Sequence, residues 1–471
     1  YSSSGPYPSR SHAMDSPARR PGPATTASPP LRAPFVVMAR GRRSSSSAPV
    51  AEQPDEALAR ILRTEAAVSG VSRKAAATQQ STRLWPRAVL EALDSAVASC
   101  RWESALEIFD LLRKQRWYEP RSQTYARLLM MLGRCRQPGP ATALFKTMLS
   151  EEALAPTVDV YTALVGAYGY SGLIDEALAT VDRMKGAALG CKPDEYTFSV
   201  LINCCCKSRR FDLIPTVLDE MEFLGLGCNA VIHNGIIDGY GKAGMLEEME
   251  NALSNMLEGG DTVPDIYTMN SIVWAYGNRG RVDDMEKWYG EFQLMGVEPD
   301  TRTFNIMMKS YGKANMPEKM MSVLKYMKRR FFSPTAATFN IIIECFGKAG
   351  NIEKMEYYFR LMKIQGVKPN PITYCSLVNG YSKAGLLDMV PAIIRQTENT
   401  DVVLDTPFFN CVISAYAKSG DIKIMEEMLQ LMKDKKCKPG KVIYTTMIQA
   451  YIAHGMDEAA RLLETEVERF D

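Results

Sequence analysis

One five-residue segment returns along the chain at a nearly constant interval, and that interval constrains the fold more than any other feature. Tyr240-Gly-Lys-Ala-Gly244 recurs as Tyr276-Gly-Asn-Arg-Gly280, Tyr311-Gly-Lys-Ala-Asn315, Phe346-Gly-Lys-Ala-Gly350, Tyr381-Ser-Lys-Ala-Gly385, Tyr416-Ala-Lys-Ser-Gly420 and Tyr451-Ile-Ala-His-Gly455. The steps are 36, 35, 35, 35, 35 and 35 residues, and Tyr168-Gly-Tyr-Ser-Gly172 belongs to the same series upstream. A second landmark runs in phase with it: Pro193-Asp194, Pro264-Asp265, Pro299-Asp300, Pro334-Thr335, Pro369-Asn370 and Pro439-Gly440. Two landmarks in fixed phase do not arise by chance.

Inside the unit 301–335, Phe304, Ile306, Met307 and Tyr311 mark a first helix, Gly312 and Asn315 a tight turn, and Met320, Leu324 and Met327 a second helix. One such hairpin cannot bury its own apolar stripe, so the units must stack side by side. The expected fold is an all-α superhelical solenoid of stacked helix-turn-helix repeats, with the first helices lining its concave surface. Methionines 249, 285, 320, 355 and 425, again in phase, read as core between repeats. The proline near each unit's end is expected to stop the second helix. The Asp, Asn or Thr after it is a good N-cap for the next first helix.

The start of the chain is different in kind. Residues 1–48 are rich in Ser, Pro, Ala and Arg, with seven arginines, no lysine and a single acid, Asp15. That composition fits an organelle transit peptide, chloroplast rather than mitochondrial from its Ser and Pro content and the Val36-Val37-Met38-Ala39-Arg40 stretch; a disordered basic tail is the other reading. Residues 49–85 are expected to form an N-terminal helical cap region, with a helix over about 51–70. Removing residues 1–48 from the 56 basic and 54 acidic residues leaves 49 against 53, so the repeats are not a basic protein. Binding of nucleic acid must then rest on placed residues rather than bulk charge.

A 35-residue hairpin written x-x-T-Y/F-N-x-(L/I)-I-x-x-Y-x-K-A-G, then a second helix ending in Met-Lys and a Gly-(I/V)-x-Pro-Asp tail, resembles the pentatricopeptide repeat of plant organelle RNA-binding proteins. The uniform length resembles the P-class subfamily. Counting the Tyr or Phe as fourth, the units fall at 86–121, 122–157, 158–194, 195–229, 230–265, 266–300, 301–335, 336–370, 371–405, 406–440 and a partial 441–471; the first two are degenerate. The resemblance implies a right-handed superhelix and single-stranded organelle RNA as partner, with other RNA-processing or ribosome-assembly proteins as further candidates. It also implies one base per repeat, read by the fifth and last residues of each unit, and RNA running 5′ to 3′ from N- to C-terminal repeats.

The fifth position holds Thr162, Ser199, Asn234, Asn270, Asn305, Asn340, Cys375 and Asn410. Asn is a poor helix former that hairpin packing does not call for, while its amide both donates and accepts, as the edge of an unpaired base requires. The last position holds Asp194, Asn229, Asp265, Asp300, Thr335, Asn370, Asp405 and Gly440. Helix capping alone would explain most of that row, and the capping and base-touching roles are compatible. Carried over unit by unit, the resemblance implies G for Thr162 with Asp194, A for Ser199 with Asn229, and U for both Asn234 with Asp265 and Asn270 with Asp300. Asn305 with Thr335 and Asn340 with Asn370 imply pyrimidines. Cys375 with Asp405 and Asn410 with Gly440 depart from the family's common pairs and name no base. The implied core is 5′-GAUUYY-3′.

By the same resemblance the second position stacks on bases. It holds Tyr196, Val231, Tyr267, Arg302 and Ile372, with Ala337, Pro407 and Val442 in the same row. Lysines 207, 242, 313, 348, 383 and 418 (Lys207, Lys242, Lys313, Lys348, Lys383, Lys418) recur once per unit in the turn, where they suit either backbone phosphates or the dipole at a helix C-terminus.

Catalysis finds no support in the residues. There is no Gly-rich phosphate loop, no H-x-E with C-x-x-C and no Ser-His-Asp set. With units reaching Asp471, an appended catalytic domain is not expected, nor is a cofactor, a metal, membrane insertion or an oligomer. The 11 cysteines read as reduced small hydrophobes. The rival reading is a protein-binding scaffold. Tetratricopeptide repeats are also hairpins, but they run at 34 residues with a W-x-x-L-G signature absent here, and a peptide groove has no use for a phased Asn row.

Overall fold

In the computed structural model, which describes residues 86–467 except 116, 152–153, 187–190, 260–261, 399–401 and 436, the period becomes a row of helical hairpins. The described residues lie in one compact unit and contain 22 α-helices and no strand. The first helices of successive hairpins are α1 (Pro86–Ala98), α3 (Ser122–Arg134), α5 (Val158–Tyr170), α7 (Glu195–Lys207), α9 (Ala230–Ala243) and α11 (Ile266–Asn278). They continue as α13 (Thr301–Lys313), α15 (Ala336–Lys348), α17 (Pro371–Lys383), α19 (Thr406–Ser419) and α21 (Lys441–Ala453). The second helices between them are α2 (Trp102–Arg113), α4 (Pro138–Leu149), α6 (Ile174–Gly186), α8 (Ile214–Phe223), α10 (Leu246–Glu258) and α12 (Val282–Leu294). Then follow α14 (Pro317–Arg329), α16 (Ile352–Ile364), α18 (Val390–Glu398), α20 (Ile422–Asp434) and α22 (Asp457–Val467). The transit segment over 1–48 and the helix expected over about 51–70 lie outside the described residues.

Each first helix packs on the second helix of its own hairpin and on the first helices before and after it, which makes the chain an all-α solenoid. The fourth-position aromatics Phe198, Phe304, Phe339 and Tyr374 and the in-phase methionines 249, 285, 320, 355 and 425 are buried in this stack. Burial of each such side chain contributes about 1.5–3 kcal/mol. Hydrogen bonds tie neighbouring repeats as well. Tyr311 Oη donates to Glu286 Oε1 at 2.8 Å, Tyr381 to Glu356 at 2.8 Å and Tyr451 to Glu426 at 2.7 Å. Where the eleventh residue is Phe346, the ring instead stacks on Tyr358 at 5.6 Å.

Two expectations need correction. Gly312 lies inside α13 rather than in the turn. Its role is close approach, since a Cβ there would stand 3.3 Å from Cys345 Sγ on the next first helix. Gly347 shows the same device against backbone, 3.1 Å from Gly380 Cα. The turn itself is carried by the left-handed residue three positions on, Asn315 at φ 57°. The second helices, moreover, are not stopped by proline. α12 ends at Leu294 and is closed by Gly296, φ +84°, where the Gly296 N–H bonds Gln293 O and the Val297 N–H bonds Phe292 O, a left-handed C-terminal cap. Pro299 comes later, in the extended linker.

Candidate nucleic-acid interface

The last residue of seven units caps the first helix of the next. Asp194, Asn229, Asp265, Asp300, Thr335, Asn370 and Asp405 each accept a hydrogen bond from the backbone N–H three residues on. Such a cap contributes about 1 kcal/mol. Asp265, Asp300, Thr335 and Asn370 complete it as capping boxes, in which the Thr at the third position of the next unit bonds back to the cap's own N–H. Gly440 has no side chain, and α21 starts without a side-chain cap.

The fold brings fifth and last positions into hydrogen-bond contact in two repeats among the described residues. Asn234 Nδ2 donates to Asp265 Oδ1 at 3.1 Å, and Asn340 Nδ2 to Asn370 Oδ1 at 3.1 Å, across about one repeat of chain. The third-position threonines join them. Thr268 Oγ1 donates to Asn234 Oδ1 at 2.6 Å, Thr338 to Asn305 at 2.8 Å and Thr373 to Asn340 at 2.7 Å, while Thr162 and Thr197 share a 2.7 Å bond between their hydroxyls. Sequence reasoning did not single out these threonines, although their signal was present as the recurrent T of the x-x-T motif.

Other predicted readers are held differently. Asn229 turns its amide to Glu195 Oε2 at 2.6 Å. Ser199, Cys375 and Asn410 are followed at the third position by Ile232, Phe408 and Ile443, which offer no hydroxyl. Asn270, only 4% exposed, and Asn410 each keep a buried Oδ1 without a partner among the described residues. The hydrogen bond to the neighbouring Cys411 thiol, together with burial, pushes the Cys375 thiol up, so it stands neutral at physiological pH.

Apolar second-position side chains face solvent in a row that recurs with the repeat. Tyr196, Val231, Tyr267, Ile372 and Val442 are 61–66% exposed, and Arg302, Ala337 and Pro407 are exposed beside them. Tyr196 and Val231 line a cleft that also contains Ser199, Asn229 and Asp194. Pro407 and Val442 line a second cleft with Asn410 and Cys411. Each cleft is thus bounded by two successive second-position residues, with the fifth-position group between them.

The lysines predicted in the turn occupy the last turn of their first helices. Lys313 bonds Asn278 and Lys383 the Lys348 carbonyl, both at the C-terminal end of the preceding first helix. Lys207 lies 4.3 Å from the centre of the Tyr170 ring. Lys242 and Lys348 pair with Asp238 and Glu344 on their own helices. Helix-end capping is therefore realised for Lys383, whose ammonium sits on a terminal carbonyl. Among the described residues no helix is long and apolar enough to cross a membrane, and no group of His, Cys, Asp and Glu is placed to hold a metal.

Comparison with known proteins gives the same period. A PPR repeat family model matches residues 156–207, 264–313, 299–348, 334–383 and 404–453, and a PPR repeat model matches 196–226, 231–261, 372–396 and 442–469. A pentatricopeptide repeat-containing protein of Arabidopsis thaliana is 56% identical over 245 residues, 52% of this chain and 54% of that protein. A second from the same plant, named chloroplastic, is 42% identical over 243 residues, 52% of this chain and 47% of its own length. The chain spans about half the length of the curated relatives it matches. Among solved structures, the pentatricopeptide repeat protein PPR10 in complex with an 18-nucleotide psaJ RNA element is 23% identical. That likeness covers 88% of this chain and 68% of the other, at a TM-score of 0.43.

Proposed function

The chain belongs to the pentatricopeptide repeat family, and from that premise we propose that it holds single-stranded RNA along its row of first helices, one base per repeat. One observation carries the reading: in the repeats of Asn234 and Asn340 the fifth- and last-position polar groups touch each other, and a row of exposed apolar second-position residues runs through the repeats. A base entering between two such residues would have its faces packed and its edge set against hydrogen-bonding groups. Thr162 with Asp194 would read G, Ser199 with Asn229 A, Asn234 with Asp265 and Asn270 with Asp300 U, and the pairs Asn305–Thr335 and Asn340–Asn370 pyrimidines. Lys418, which makes no hydrogen bond or ion pair among the described residues, is the lysine best placed for phosphate.

Relatives named chloroplastic support a chloroplast location, with residues 1–48 as the transit segment. The proposed action is occupancy, protecting or remodelling RNA during processing, stabilisation, splicing or ribosomal RNA maturation, with no catalysis by the repeats. The test is binding of the purified chain, at fixed salt, to single-stranded RNA containing GAUUYY. The comparison strands are the same RNA with both U positions changed to G, and the matching DNA. Clear preference for the first is expected. Equal, weak binding to all of them would overturn the reading in favour of a protein-docking solenoid.

A further inference from the structure

A hydroxyl has one proton and two lone pairs, so where its proton goes decides what its partner can offer. The Thr268 hydroxyl accepts from the Asp265 backbone N–H at 3.1 Å, and its oxygen stands closer to Asn234 Oδ1, at 2.6 Å, than to Asp265 Oδ1, at 3.2 Å, which assigns its proton to the Asn. Thr338 repeats this between the Thr335 N–H and Asn305 Oδ1, and Thr373 between the Asn370 N–H and Asn340 Oδ1. With the amide oxygen pinned in this way, the NH2 end of each Asn is left to face other partners. Asn234 and Asn340 spend one N–H on the last-position residue and keep one. Such a reader offers a donor.

The arrangement at Thr162 is the reverse. Thr197 gives its proton to the Asp194 carboxylate at 2.7 Å, which accepts only, so the bond Thr162 shares with Thr197 must be donated by Thr162. That reader keeps lone pairs alone and, beside Asp194, offers acceptors. Guanine, with adjacent N–H donors on its pairing edge, is the base it suits.

We propose that the third-position threonine of the following repeat is a positioning residue that sets whether the preceding fifth-position side chain presents a donor or an acceptor to RNA. The inference rests on the base-reading function proposed above. It sorts the repeats into two kinds. Readers before Thr197, Thr268, Thr338 and Thr373 are polarised. Ser199, Cys375 and Asn410, before Ile232, Phe408 and Ile443, meet no such hydroxyl and discriminate bases less.

Thr303 is a natural control. It forms the same capping box on Asp300, at 3.1 and 2.8 Å, yet leaves the Asn270 Oδ1 unpartnered. The experiment measures affinities of the full chain for RNAs in which the base opposite Asn234, or opposite Asn270, is each of the four. Thr268→Val is expected to shrink the native preference opposite Asn234 by roughly fivefold, about one hydrogen bond's worth, and Thr268→Ser to restore it. Thr303→Val should lower thermal stability to the same extent while keeping the preference opposite Asn270. Thr338→Val, read opposite Asn305, repeats the test should Thr268→Val fail to fold. The inference is overturned if Thr268→Val keeps the native preference, or if Thr303→Val loses as much. A native chain with no base preference at any position would instead overturn base reading itself, and this inference with it.

Discussion

Residues 301–370 and 371–440 are neighbouring pairs of repeats with the same period and the same helices, yet they hold their readers in opposite ways. In the first stretch Asn305 and Asn340 are braced by Thr338 and Thr373, and Gly312 and Gly347 let the next first helix come close. In the second, Cys375 and Asn410 have no such hydroxyl, Gly440 supplies no cap, and the positions matching Gly312 and Gly347 are Ser382 and Ala417. The solenoid continues through both. Stacking therefore depends on the apolar stripe, while the polar network is added on top of it and can be lost repeat by repeat.

The largest effect that would break this contrast is steric. Gly347→Leu should destabilise the chain by about 3 kcal/mol in urea unfolding, because the added side chain meets the Gly380 backbone. The matched Ala417→Gly should lose only helix propensity, about 1 kcal/mol. Next comes the network. Asn340→Ala removes a side chain bonded to both Thr373 and Asn370 and should cost about 2 kcal/mol together with the pyrimidine preference of its repeat. Asn410→Ala removes an amide whose Oδ1 has no partner among the described residues and should leave stability within about 0.5 kcal/mol. A loss at Asn410 equal to that at Asn340 would erase the distinction between the two stretches.

The contrast can also be sharpened by transplanting the brace. Gly440→Asp with Ile443→Thr should give the Asn410 repeat a base preference of roughly fivefold, measured by competition among RNAs, against a small stability loss from replacing the buried Ile443. The smallest expected effect is in the lysine row. Lys418→Ala should lower the slope of log affinity against log salt by about 0.7, the contribution of one phosphate contact on a single strand, without changing the melting temperature. Lys383→Ala should instead lower stability by a few tenths of a kcal/mol, because Lys383 caps the Lys348 carbonyl.

Much of this was legible before any coordinates. The hairpin, the phase of the readers and the capping role of Asp194 through Asp405 followed from residues that repeat at one interval, since a cap and an apolar stripe act within a turn or two of helix. Gly312 was misread because a helix tolerates a glycine silently, and its value lies in the Cys345 side chain of another helix. Pro299 was misread because two plausible stops sit three residues apart, and the left-handed Gly296 acts first.

What the sequence by itself determined is the 35-residue period, the all-α hairpin unit and the register that places a polar residue fifth and a cap last in most repeats. Only the tertiary structure decided which of those residues meet. Asn234, Asp265 and Thr268 form one network because stacking sets adjacent first helices side by side, and the capping box then leaves the threonine a single proton to give. The direction of that proton depends on atoms from two repeats at once, so no single repeat's sequence contains it.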